Sequence, residues 1–234
     1  MTTIRVIDFE TCGLEPPAEV CEVGYCDLTR ADDGSWSVGQ PVSYLCRVAR
    51  MPAEVRAVHH ITLAECADCE RFDGMALMQA SSHVAAIAAH NMSMEEQWLQ
   101  IEGIPPKVCT YKAALRIWPD APAHANSVLR YWLEDQGLLS LDFDTAMPPH
   151  RAGPDAYVTA HILKALFAAG ATGKDMVAWT KEPRLLPTCP IGKFRGQKWA
   201  DVETGFLNWM TQQASMEADL KWNAQRELDR RFAR

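Results

Sequence analysis

Two carboxylates one residue apart close the first apolar run of this chain. Ile4 to Ile7, interrupted by Arg5, reads as a buried strand, with Asp8 and Glu10 at its end. Residues two apart on a strand point to the same face, so Asp8 and Glu10 converge. Like charges held together away from water repel each other, and burial makes each costlier. A bound divalent cation removes both costs. The alternative is a solvated edge strand, because D-x-E spacing alone is a weak signal.

The 234 residues suffice for one domain with an appendage, or two small domains, around a real core. A composition 48% hydrophobic and 23% charged is that of a soluble globular protein. No apolar stretch approaches the roughly 18 to 20 residues that span a bilayer. The first residues run straight into a strand with no secretory signal, so the expected location is cytoplasmic. The eight scattered cysteines then read as reduced, mainly buried thiols. Cys66 and Cys69 form one C-x-x-C without the second pair that a zinc site needs.

Net charge is −7, unevenly spread. Residues 1–180 hold 13 Lys+Arg against 23 Asp+Glu, and residues 181–234 hold 10 against 7. An acidic body of −10 fits carboxylates gathered around metal ions, and a tail of +3 fits attraction to phosphates. Ordinary surface variation accounts for the tail equally well.

Three strand-like runs open the chain, Ile4–Asp8, Val20–Asp27 and Val42–Val48, with turn chemistry between them that predicts an antiparallel meander. A strand Val84–Ala89 follows, then a helix from Ser93 or Met94 to Glu102 and a short strand at Val108-Cys109. Further helices are expected over Tyr111–Trp118, from an N-cap at Asn126 to Asp135, and over Asp155–Ala168. Strands followed by mixed strands and helices indicate an α/β fold with a mixed sheet flanked by helices. Residues 1–180 form this body. Residues 181–234 form an extension: a Pro-rich linker, a loop or hairpin at 190–198, and helices over Asp201–Gln213 and Met216–Phe232.

Two more clusters sit where elements meet. His90-Asn91-Met92-Ser93-Met94-Glu95 places an acid in the first turn of a helix that follows a strand; complementing the helix dipole is the other reading of Glu95. In His150-Arg151-Ala152-Gly153-Pro154-Asp155, Pro154 suits the first helical position. That puts Asp155 in the first turn and His150 in the loop before it. A loop His beside a carboxylate can deprotonate water at neutral pH. Hard carboxylate oxygens suit Mg²⁺ or Mn²⁺, and two such ions can clamp an in-line phosphoryl displacement.

The order Asp8-x-Glu10, then His90-Asn91-x-x-x-Glu95, then His150-x-x-x-x-Asp155 resembles the three motifs of the DEDDh 3′→5′ exonucleases. Ile7-Asp8-Phe9-Glu10-Thr11-Cys12-Gly13-Leu14 is similar to the opening motif of the family's exodeoxyribonuclease X branch. His59-His60-Ile61-Thr62, Cys109-Thr110-Tyr111-Lys112 and Ile117-Trp118-Pro119 resemble that branch too. So do Gly192-Lys193-Phe194-Arg195-Gly196 and Phe206-Leu207-Asn208-Trp209, and the likeness covers nearly the whole chain.

The resemblance implies a ribonuclease H-like fold and release of nucleoside 5′-monophosphates from DNA 3′ ends, single-stranded ones by preference. It implies two Mg²⁺ or Mn²⁺ ions on Asp8, Glu10, Glu95 and Asp155, with His150 as general base. Thr11, Gly13 and Leu14 would lie against the terminal nucleotide, with Asn91 and His59 also beside substrate. For His59 a hydrogen-bonded turn residue is the alternative. A role in DNA repair and a homodimer are implied likewise, the dimer without separate support from the residues. Glu95 stands where the family usually has Asp, and Met94 where it has Phe. Gly153-Pro154 is also unusual. Two alternatives stay open: an RNA or oligoribonucleotide exonuclease, and a catalytically weakened module that binds nucleic acid or a partner.

Overall fold

The computed structural model describes residues 2–81, 83–99 and 105–233. Strands β1 (Thr2–Thr11), β2 (Val20–Arg30), β3 (Trp36–Val38) and β4 (Val42–Leu45) come first. Three short helices follow, α1 (Ala53–His59), α2 (Leu63–Cys66) and α3 (Gly74–Ala80). Then come β5 (Ala86–Ala89), α4 (Met92–Glu95), β6 (Lys107–Cys109), α5 (Thr110–Ile117) and α6 (Asn126–Asp135). Helices α7 (Ala152–Ala168) and α8 (Gly173–Lys181) complete the body, and α9 (Thr204–Gln212) and α10 (Ala218–Phe232) lie beyond it.

The sheet runs β3-β2-β1-β5-β6, antiparallel between β1 and β2 and parallel through β1, β5 and β6. It is the expected mixed α/β sheet. The expected antiparallel meander is present as β1-β2-β4, and β3 is an added strand. β3 and β4 do not pair with each other; both pair with β2, at Leu28–Arg30 and Glu22–Tyr25 respectively.

Alternation along β1 divides the interior. Ile4 and Val6 join Cys26 and Leu28 of β2 and the buried side of α7, including Ala156, Ala160 and Leu163. Ile7 faces the other way, into Val23, Ile87, Leu77, Met78 and Met92. Asp8 and Glu10 continue the Ile4–Val6 face, so they emerge on the side that α7 covers. Residues beyond 181 gather a core of their own around Cys189, Phe194, Leu207, Met210 and Ala224.

Several expectations shift. β1 extends through Glu10 to Thr11, and its pairing changes register between those two residues. Asn126 is the first residue of α6 rather than its cap; its amide instead donates to the Asp155 carbonyl at 3.3 Å. α7 starts at Ala152, so Pro154 is its third residue, where a missing N–H costs nothing because the first helical N–H groups have no intrahelical partner. α4 ends at Glu95, with Glu96 as its cap, and the expected end at Glu102 lies outside the described residues. All eight cysteines are free thiols. Among the described residues, no helix is long and apolar enough to cross a membrane.

Candidate active site

Three carboxylates meet where β1 leaves the sheet. Asp8, Glu10 and Asp155 each present an oxygen, all within 4.8 Å of one another. The first two come from one face of β1 and the third from the opening turn of α7, so the site straddles the strand–helix seam. Glu95 stands outside this trio but close enough for its charge to act on both Asp8 and Glu10. It arrives because β5 ends at Ala89 and the chain turns through His90-Asn91 into α4, whose Met92 is anchored in the core.

The electrostatics are those of too much negative charge in too little water. Burial, followed by Asp155, Glu95 and Glu10, holds the Asp8 carboxyl well above the usual carboxylate range. Burial, with Asp155 and Glu22, pushes Glu10 up to about 8, against some relief from Arg151. Burial alone carries Glu95 to about 8. Asp155 is raised by burial too, and the His150 backbone N–H, 2.9 Å from its Oδ2, acts in the opposite sense. Oε2 of Glu95 is buried with no hydrogen-bond partner. An orphaned carboxylate oxygen beside three converging carboxylates suits divalent cations bound by hard oxygen donors.

A fifth carboxylate beside the site is silent in sequence. Glu22 lies opposite Glu10, and Gly24 opposite Asp8, across the β1–β2 pair. Glu22 is 1% exposed. Its oxygens accept from Arg151 Nη2 at 2.7 Å and Nε at 2.9 Å, and from the Ala152 backbone N–H at 3.0 Å. One side chain thus satisfies an arginine and the first turn of α7 together. Gly24 makes the contact tight, because a Cβ there would fall 2.0 Å from the Ala152 carbonyl carbon. Gly153 sits similarly, its missing Cβ 3.0 Å from Ser43 Oγ. Only the hairpin register, displaced by the bulge after Glu10, reveals that Glu22 faces the site.

The remaining expected residues divide. His150 is exposed in the left-handed region (φ 60°), directly before the clamped turn. Thr11 continues β1, and its hydroxyl donates to the Gly13 carbonyl at 2.6 Å. Leu14, 81% exposed, is a bare apolar side chain at the rim. Asn91 is exposed at the α4 N-terminus and accepts from the Ser93 hydroxyl at 3.0 Å. His59 is corrected: it is buried, its Nδ1 accepts from the Ile61 N–H at 3.0 Å, and its Nε2 lies 3.8 Å from Cys21 Sγ. Both nitrogens are engaged inside the protein, so His59 is a turn and packing residue.

No family model matches the chain, and no curated protein does. Solved structures do. Exonuclease X in complex with 5′ overhanging duplex DNA is 27% identical, with 76% of this chain and 99% of that chain covered at a TM-score of 0.61. Cell-death related nuclease 4 (CRN-4) is 16% identical, covering 73% and 65%, at a TM-score of 0.56. E. coli Exonuclease I in complex with a dA16 oligonucleotide is 12% identical, covering 76% and 43%, at 0.53. The last two share the fold. Exonuclease X is matched over nearly its whole length, leaving about a quarter of this chain without counterpart. The mixed sheet, the converging carboxylates and that likeness together mark the chain as an exonuclease with a ribonuclease H-like fold, similar to Exonuclease X.

Proposed function

We propose that this exonuclease hydrolyses phosphodiester bonds from DNA 3′ ends and releases nucleoside 5′-monophosphates, in a cytoplasmic role in DNA maintenance. The observation that carries the reading is the meeting of Asp8, Glu10 and Asp155 within 4.8 Å, with the unpaired Glu95 oxygen beside them. These four carboxylates would hold two Mg²⁺ or Mn²⁺ ions. When bound, such ions supply the positive charge that stabilises the attacking and leaving oxygens of an in-line displacement.

The chain's own groups account for the rest. His150, exposed and tethered through its backbone N–H to Asp155, would take the proton of the attacking water. Leu14 offers an apolar surface for the terminal base, and Thr11 and Gly13 fix the loop that carries it. Asn91 borders the same end of the sheet. DNA is favoured as substrate by the likeness to an exonuclease solved with DNA.

The test is degradation of a 5′-labelled single-stranded DNA and a matched RNA, each with Mg²⁺, Mn²⁺ or EDTA, beside an Asp8→Ala variant. Metal-dependent shortening of DNA from the 3′ end, lost in the variant, is expected. Faster shortening of RNA would reassign the substrate. No shortening of either strand, with binding intact, would leave a nucleic-acid-binding module.

A further inference from the structure

The C-terminal unit carries a groove that the reaction above does not use. About 520 Å³ in volume, it is lined by Arg184, Pro190, Ile191, Trp209, Gln213 and Glu217 among others, with Arg184 and Glu217 paired to each other at 3.6 Å. Trp209 forms one wall and is 46% exposed. Its ring is backed by Phe206 at 5.2 Å, which in turn packs on Phe194 at 5.0 Å, so a large aromatic face is held firmly at the surface.

Cations stand at the edge of that face. Arg195 is exposed and its Nε donates to the Pro190 carbonyl at 3.0 Å, which ties its guanidinium to the groove wall. Lys198 is exposed three residues further on, where it borders a neighbouring cavity with Pro187, Thr188 and Arg226, and neither residue makes an ion pair among the described residues. This unit is net +3, whereas the body is −10. A polyanion approaching the carboxylate cluster meets repulsion from the body and attraction here. The two regions are also linked. Arg184 interacts with Tyr111, whose N–H donates to the His90 carbonyl at 2.9 Å, and His90 opens the turn that delivers Glu95.

We propose that this groove is a second contact for a single nucleic-acid strand, holding nucleotides on the 5′ side of the end being cut. Trp209 stacks on a base, and Arg195 and Lys198 meet phosphates. An exposed aromatic beside unpaired cations is the combination that binds single strands without reading their sequence. The inference rests on the exonuclease reading for its substrate, and its test separates the two.

Binding of labelled single strands of about 4 and about 20 nucleotides is measured in EDTA, and their degradation in Mg²⁺. Trp209→Ala should weaken binding of the longer strand about tenfold. Arg195→Ala with Lys198→Ala should lower the slope of log affinity against log salt by about 0.7 for each lost phosphate contact. In both variants the advantage in kcat/KM of the longer strand over the shorter should shrink toward parity. If both variants bind and degrade the long strand as the wild type does, the groove serves another occupant, such as a peptide, and the proposal falls. If the wild type degrades neither strand while long-strand binding still depends on Trp209, the exonuclease reading fails and the groove assignment stands.

Discussion

Oε2 of Glu95 is buried without a partner, and burial lifts its carboxyl to about 8. Such a group keeps its proton near neutral pH until a cation displaces it. Glu95→Gln preserves the shape and removes the charge, so Mn²⁺ affinity measured by calorimetry should fall at least about tenfold. Glu95→Asp withdraws the carboxylate by one methylene. Activity should then drop on the order of a hundredfold, the usual cost of a misplacement of about 1 Å. Unchanged activity in both variants would mean that this carboxylate never reaches the metal. At this scale Asp8, Glu10 and Asp155 were legible because a strand's period of two and a helix's first turn are local rules. Glu22 was not, because its facing depends on a pairing partner twelve residues away and on a bulge between Glu10 and Thr11. For His59 a turn residue and a substrate neighbour both stayed open, because nothing local distinguishes a buried turn histidine from a groove-lining one.

Helix α7 enters the site as a rigid piece, locked by the Glu22–Arg151 pair and by the close approach at Gly24. Arg151→Ala leaves a buried carboxylate without its partner, which should cost about 3 to 5 kcal/mol of stability by denaturant unfolding. With His150 and Asp155 adrift, kcat should fall far more than KM rises, and Arg151→Lys should restore only part of it, since one ammonium cannot make both contacts. A variant destabilised to that extent but with unchanged kcat would reduce the pair to a purely structural role. Gly24→Ala should be at least as damaging to α7, because the new methyl meets backbone that cannot yield. Elements with clear apolar period, such as β1, β2, α6 and α7, were readable in sequence. The short helices α1, α2 and α3 were passed over, as was α8, since none carries a long apolar stripe. For α2, α3 and α8 the signals were caps instead: Thr62 with Glu65, Asp73, and Thr172 with Asp175.

For the molecule as a whole, the crowded carboxylates make stability depend on pH in an unusual sense. Glu10 and Glu95 titrate near 8 when folded, far above their ordinary value of 4.5. Between those limits the folded protein holds protons that the unfolded chain has released, so folding is favoured at the acid end and weakens as pH rises. In EDTA the Tm should therefore decline as pH is raised from about 5 to 8, and saturating Mg²⁺ should remove the decline. A Tm in EDTA that holds level across this window would show the carboxylates already ionised without metal. The acidic body and basic extension were visible from charge counts alone, whereas the separate core beyond residue 181 required the packing of Phe194, Leu207 and Ala224 to be seen. The seam at Gly24 has one more consequence. Where α7 crosses β2, no side chain lies between the two backbones, so the span separating the strand-borne from the helix-borne carboxylates is gauged by the width of the peptide chain itself. Side-chain spacers creep as a protein warms or its interior is re-equipped with other residues. A bare main-chain abutment does not, and it hands every descendant of this sequence the same ruler.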